Sequence, residues 1–359
     1  MFQSRRRLLI TLVLVVVFAP LLVEGAVRVR AQLKFGEYDE IYDLFEAHPQ
    51  GMLMARPGLD VHFSKATRVT TSALGFRRPE LAEPKPTGSV RVAFLGGSTT
   101  FCAQATSNET TWPQLLIDTL QQEHPEVLFE YANGAVTGAS IADSRLTLKH
   151  RLAPLQPDVI VIVHAAKDMA DDTLELALSE GVFTLAEHDW LEEHSLLWML
   201  VRKNLRSRAS VAEGREAGQK LEYDARASAS DFGERLTLLV QEARAVADVV
   251  VVATFATKRR HDQSDAEQLK NLTQAFTFTP YLTPAGILDG YAAYNAAIAG
   301  VAASTGAAFV GEHDTIPGTD EYFYDSVHFT EAGYEAMAQR FVRALKNDTQ
   351  FQRLLGDSR

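Results

Sequence analysis

A chain of 359 residues with 46% hydrophobic and 23% charged residues has an ordinary globular composition, which excludes a disordered or fibrous protein. Its formal net charge of -11 argues against nucleic acid as the main partner, because phosphate binding needs a basic surface. The single cysteine, Cys102, rules out an intramolecular disulfide, and no Cys or Cys/His cluster has the spacing of a structural zinc site.

The N-terminus carries a membrane signal. Arg5, Arg6 and Arg7 precede Leu8 to Val23, a run without charge. Extended to Val27, and interrupted only by Glu24, it reaches the roughly 20 residues needed to span a bilayer. The arginines stay cytoplasmic, so the rest of the chain is expected on the far side, periplasmic in a Gram-negative cell. The alternative is a cleaved signal peptide, with Val23 and Gly25 before the cut, and a secreted product. Residues 1–30 are therefore expected to be a transmembrane anchor or signal peptide. Residues 31–88 read as a juxtamembrane region and linker, with a short amphipathic helix in EYDEIYDLFEAHPQGM and a Pro-rich stretch in LAEPKPTGS. Three Asn-x-Thr sequons, at Asn108, Asn271 and Asn347, matter only in a host that glycosylates.

From Val90 onward the pattern becomes regular. SVRVAFLGG, VLFEYAN, PDVIVIV, DVVVVATF and GAAFVG are short, continuously apolar runs rich in β-branched residues. Such runs predict strands covered on both faces. Helical segments separate most of them. TTWPQLLIDTLQQ starts with Thr111 as a cap and Pro113 in the first turn. TEAGYEAMAQRFVRAL puts Met337, Phe341 and Leu345 on one face. The alternation predicts an α/β domain over residues 89–350, with a parallel sheet of about five strands. A helical insertion at about residues 171–235 separates the third and fourth strands. It serves as extra packing, as a lid beside the substrate, or, through SLLWMLVRKNLRSR, as a membrane-surface element.

In an open parallel sheet, ligands bind at the carboxyl ends of the strands. Ser98, in FLGGSTTFCA, stands at the end of the first. A serine nucleophile needs a base that is itself held by a third group. YFYDSVHFTEAGY offers both, with Asp325 and His328 between the fifth strand and the last helix. Three residues of separation in a turn bring the carboxylate to the imidazole Nδ1, leaving Nε2 for the serine. The glycines of GGSTT fit neither a Walker loop nor a GxGxxG fingerprint, and the stretch lacks the last glycine of GxSxG.

Four blocks in this order resemble the SGNH/GDSL hydrolase family: GGST at Ser98, NGAVTG at Asn133 to Gly138, HAAKD up to Asp168, and DSVH at Asp325 to His328. With SALGFRRPE before the first strand and ETTWPQLL after it, the chain is similar to the membrane-anchored branch of that family. The resemblance covers roughly residues 88–348 and implies a three-layer flavodoxin-like fold, with acyl ester hydrolysis through Ser98, His328 and Asp325. It also implies an oxyanion hole from the Ser98 N–H, the Gly138 N–H (Gly134 being the alternative) and a third-block asparagine. Here that asparagine is Lys167. The lysine either donates to the oxyanion as an ammonium or pairs with Asp168 or Asp171. Asn133 is expected to stabilise its loop, and His164 to be structural. Cys102 is expected to be a buried thiol, and Lys258, Arg259 and Arg260 to lie in a solvated loop.

The expected function is an extracytoplasmic serine esterase that needs no metal or organic cofactor. Its substrate would be a small-molecule or saccharide ester, such as acetyl esters of envelope carbohydrate, or a lipid ester. Its partners are that substrate and the membrane. The alternatives are an O-acyltransferase on the same triad and a non-catalytic envelope protein with a degenerate oxyanion hole.

Overall fold

A computed structural model describes residues 18–33, 41–62, 67–77, 80–185, 189–215 and 220–358. Its centre is a five-stranded parallel sheet: β1 (Ser89–Gly96), β2 (Leu128–Asn133), β3 (Val159–Val163), β4 (Val249–Ala253) and β5 (Ala308–Val310), in the order β2-β1-β3-β4-β5. Every residue of β1, β3 and β4 is buried, which requires cover on both faces. This agrees with the sequence reading. Strand order reverses between β1 and β3, and the crevice at that switch point is where such sheets bind ligands.

The helices α1 (Ser98–Phe101), α2 (Trp112–Glu123), α3 (Ile141–Thr147), α4 (Ala166–Ser179), α5 (Trp190–His194), α6 (Leu196–Arg215), α7 (Ala225–Arg244), α8 (Pro284–Thr305) and α9 (Glu331–Asn347) follow in chain order. α2 packs with α9, α7 with α3, α4 and α8, and α5 with α6. The Thr111 hydroxyl caps α2 by accepting the Gln114 N–H. Trp112 stacks on Phe341 with ring centroids 4.7 Å apart. Met337, Phe341 and Leu345 are all buried on the inner face of α9, each stabilising the fold by about 1.5–3 kcal/mol. The insertion between β3 and β4 is helical, as expected.

One expectation changes. Between residues 41 and 70 the structure has a 3-10 turn (Ile41–Leu44) and two antiparallel strand pairs, Phe45–Ala47 with Leu53–Ala55 and Asp60–His62 with Arg68–Thr70, in place of a loose region with an amphipathic helix. Leu44, Phe45, Ala55, Leu59 and Val69 form a second core against Phe101, Val136 and Ala139. Tertiary contact with the sheet domain therefore overrides the local helical pattern. The expected membrane span is covered only in part. Its first part lies outside the described residues, and residues 18–33 are helical. No helix among the described residues is long and apolar enough to cross a membrane.

Candidate active site

β1 ends in Gly96 and Gly97, and Ser98 opens α1 directly after them. A Cβ on Gly96 would stand 2.5 Å from the Thr100 hydroxyl and 2.7 Å from the Val163 carbonyl, so only glycine lets the strand end approach β3. Gly97, with no side chain to accept a first-turn N–H, is the N-cap of α1. Ser98 is therefore not a capping serine, and its hydroxyl is free for another partner.

One turn of helix exposes nearly all its carbonyls, and each needs a donor. The Ser98 carbonyl accepts the Cys102 N–H at 2.8 Å. The Trp112 indole N–H donates to the Thr99 carbonyl at 3.0 Å, and the Asn133 amide to the Thr100 carbonyl at 2.9 Å. Arg77 donates to the Phe101 and Cys102 carbonyls at 2.8 and 2.6 Å. Besides the turn's own C-cap, three separate parts of the chain thus clamp the turn that carries Ser98. Asn133 has the loop-stabilising role expected for it, and its Oδ1 also accepts the Ala135 N–H. Cys102 is buried, with burial pushing its thiol up to about 12, too high for a nucleophile.

At the other end of the chain, the Tyr322–Phe329 loop is pinned on both sides. Tyr324 N–H donates to the His328 carbonyl at 2.8 Å and Lys258 N–H to the Ser326 carbonyl at 2.9 Å. Buried Phe323 and Phe329 face each other at 5.0 Å. The Asp325 Oδ1 accepts the N–H groups of Val327 and His328, each at 2.9 Å. This leaves Oδ2 on His328 Nδ1 at 2.7 Å. The opposite ring nitrogen, Nε2, lies 2.7 Å from the Ser98 hydroxyl across 230 residues of sequence. Burial works to raise the Asp325 carboxyl, but the His328 hydrogen bond, the His328 charge and the two N–H groups together hold it below its ordinary value. His328 and Asp325 keep 19% and 15% of their side chains exposed, so the site opens to solvent. His328 is not a helix cap: α9 is capped by Thr330.

The oxyanion candidates separate. Gly138 has φ +80°, a conformation that favours glycine. Among the described residues, neither its N–H nor that of Ser98 is taken by a hydrogen bond within the protein. Gly134 is corrected: its N–H donates to the Phe94 carbonyl at 3.0 Å, continuing the β1–β2 pairing, and is no longer available. Lys167 takes the second of its two expected arrangements in place of the oxyanion donor position. Its ammonium pairs with Asp171 one turn along α4, with the side chain 42% exposed. Lysine is long and flexible, so a carboxylate at i+4 captures it on the helix surface.

Two features escaped the sequence reading. Arg77 is fully buried, and besides its two carbonyls it donates to Asn108 Oδ1 at 3.0 Å. Its only sequence signal was its place in SALGFRR. The second is a buried cluster beside the site. His164 Nε2 lies 2.7 Å from the Ser144 hydroxyl, and His164 Nδ1 lies 3.3 Å from Asp168 Oδ2. The other oxygen, Asp168 Oδ1, accepts the Ile141 N–H at 2.9 Å. All three side chains are sealed in the core. The group resembles a triad in composition but has no access, so His164 is structural, as expected.

The solvated loop expected at Lys258, Arg259 and Arg260 is overturned. Lys258 and Arg259 are buried and Arg260 is half-buried. Lys258 pairs with Asp320, Arg259 donates to Gln268 and the Pro284 carbonyl, and Arg260 to the Ile316 carbonyl. Carbonyls and carboxylates offered by the folded chain outcompete water at these cations. They line a cleft of about 770 Å³ that the triad side chains do not reach. Asn108 is also buried, with its amide bonded to Thr70, so this sequon is closed in the folded protein.

No sequence among the curated proteins matches this chain. Among solved structures it is similar to an acetylxylan esterase from Geobacillus stearothermophilus, at 15% identity over 72% of this chain and 94% of that one, TM-score 0.43. It is also similar to an alpha/beta hydrolase enzyme from the metagenome of Lake Arreo, Spain, at 12% identity over 72% and 96%, TM-score 0.44. The model of the GDSL-like lipase/acylhydrolase family matches residues 94–336, the span from the end of β1 through the Asp325–His328 loop into α9. The chain belongs to the GDSL-like lipase/acylhydrolase family.

Proposed function

We propose that this protein is a serine ester hydrolase, attached to a membrane by its N-terminus, that acts on acyl esters outside the cytoplasm. The observation that carries the hydrolase reading is the Ser98–His328–Asp325 chain of contacts, 2.7 Å at each step. His328 Nε2 takes the Ser98 proton as Oγ attacks the ester carbonyl, and Asp325 stabilises the imidazolium that forms. The Ser98 and Gly138 N–H groups receive the negative charge on the carbonyl oxygen. Collapse expels the alcohol, which takes the proton from His328. Water then attacks the acyl-serine by the same route and releases the acid. The substrates proposed, from the family and the location outside the cytoplasm, are acetyl esters of envelope carbohydrate or lipid esters. The membrane attachment is supported by Arg5 to Arg7 followed by the uncharged run from Leu8 to Val23.

The test is turnover of small acyl esters by the protein and by Ser98→Ala, together with labelling by a serine-directed phosphonate. Turnover and a label on Ser98, both lost in the variant, are expected. Absence of both from the unaltered protein would overturn the enzyme reading. Addition of a saccharide acceptor tells hydrolysis from acyl transfer by its products.

A further inference from the structure

α6 opens with six consecutive apolar residues, Leu196 to Val201, and none of them joins either hydrophobic core. All six remain at least partly exposed. Trp190 and Leu205, on either side, are 63% and 56% exposed. The helix is attached to the domain at its other end, where Val211 packs on the core and Gly214 abuts Phe276. Its start therefore stands away from the sheet domain.

What holds that start is the helix of residues 18–33. Glu24 accepts the Leu196 N–H at 3.0 Å, the Leu197 N–H at 2.8 Å and the Ser195 hydroxyl at 2.8 Å. Arg28 closes the group, 2.6 Å from Glu24, and donates to the His194 carbonyl at 3.2 Å. These bonds satisfy N–H groups that the first turn of α6 cannot pair internally. They also explain how an acid is tolerated in the apolar N-terminal stretch, because a carboxylate there needs donors.

The geometry points to a second membrane contact: the start of the insertion, from Trp190 to Leu205, seats in the interfacial layer of the bilayer beside the N-terminal helix, with Glu24 joining the two. This rests on the membrane attachment proposed above and goes beyond it. The occupant is lipid because of what precedes residue 18. The uncharged run begun at Leu8 ends in Phe18, Leu21 and Leu22, all exposed in the described helix, and Glu24 lies just past it. A contiguous apolar surface of this kind marks an interaction site. Tryptophan followed by Arg202, Lys203, Arg206 and Arg208 suits the boundary between acyl chains and head groups. The domain is then held against the bilayer at two points.

The full-length protein is reconstituted into phosphatidylcholine vesicles and into vesicles whose acyl chains carry bromine, which quenches nearby tryptophan emission. The chain has three tryptophans, and Trp112 is fully buried. Loss of emission in the brominated vesicles is expected, most of it abolished in the Trp190→Phe/Trp198→Phe double variant. Glu24→Ala is expected to reduce the quench while the protein still sediments with vesicles. Vesicle-bound protein without quenching, or quenching indifferent to either variant, would overturn the proposal. Shielding of both tryptophans in a dimer would do the same, since a second copy would then cover the patch. Failure to bind vesicles removes the membrane attachment and this contact together. Ester turnover does not enter the readout, so the hydrolase reading stands or falls separately.

Discussion

The Lys167 ammonium is held by Asp171, one turn further along the same helix, although its position in the third block belongs to an oxyanion donor. An oxyanion site without that side chain relies on the two N–H groups of Ser98 and Gly138. Each donor in such a site is typically worth about 10²–10³ in rate.

Replacing Lys167 with asparagine is therefore expected to raise kcat, by about tenfold or more if the amide reaches the oxyanion. Lys167→Ala is expected to change kcat by less than about threefold, because it removes only a partly exposed ion pair. Steady-state kinetics on one acyl ester checks both. A large loss in Lys167→Ala would show that the ammonium leaves Asp171 to serve catalysis.

Gly138→Ala adds a Cβ at φ +80°, with a strain of about 1–2 kcal/mol. If the loop relaxes, its N–H turns away from the carbonyl oxygen. A fall in kcat of about 10²–10³ is expected, with KM little changed. Parallel changes in kcat and thermal stability would reduce Gly138 to a folding residue.

Asp325→Asn is expected to lower kcat by about 10⁴, because the amide favours the wrong imidazole tautomer. The same variant has a pH signature. The Asp325 carboxyl is held below its ordinary value in the folded protein. Its contribution to stability is thus complete above the unfolded value of about 3.9 and is lost as pH falls through the folded one. Urea unfolding of the protein and the variant should show a constant gap above about pH 5 that closes on further acidification. A gap that widens towards low pH contradicts the assignment.

Arg77→Ala leaves the Phe101 carbonyl without its donor in a sealed interior, while the Cys102 carbonyl keeps the Ala105 N–H and Asn108 Oδ1 keeps the Thr70 N–H. A buried group left unpaired costs about 1–3 kcal/mol and the emptied side-chain volume adds to it, so a loss of about 2 kcal/mol or more is expected. Denaturant unfolding measures it. A loss below about 1 kcal/mol would mean that water replaces the guanidinium.

His164→Ala separates the buried cluster from the triad. It is expected to destabilise the protein by about 2–4 kcal/mol, since the Ser144 hydroxyl loses its partner and Asp168 its neighbouring ring. Phosphonate should still label Ser98 and never Ser144, which mass mapping of the labelled peptide decides.

The contacts among Ser98, Asp325 and His328 were legible in the amino-acid sequence because they follow from residue type and from position at the ends of the first and fifth strands. The sheet was legible for the same reason: five short, mostly apolar runs rich in β-branched residues, alternating with helical segments, read as strands of a covered parallel sheet. The Met337, Phe341 and Leu345 stripe on α9 belongs with them, since a period of 3.6 is a local property. Tertiary structure alone decided the partners of long polar side chains. Lys258 reaches Asp320 and Arg77 reaches two carbonyls of the Ser98 turn, neither of which a spacing rule can choose. It also decided that Gly134 is used up in backbone pairing and that residues 41–70 form strand pairs against Phe101 and Val136. Local sequence encodes period and polarity. Which acceptor a cation or an N–H finds depends on chain segments brought together only when the sheet closes.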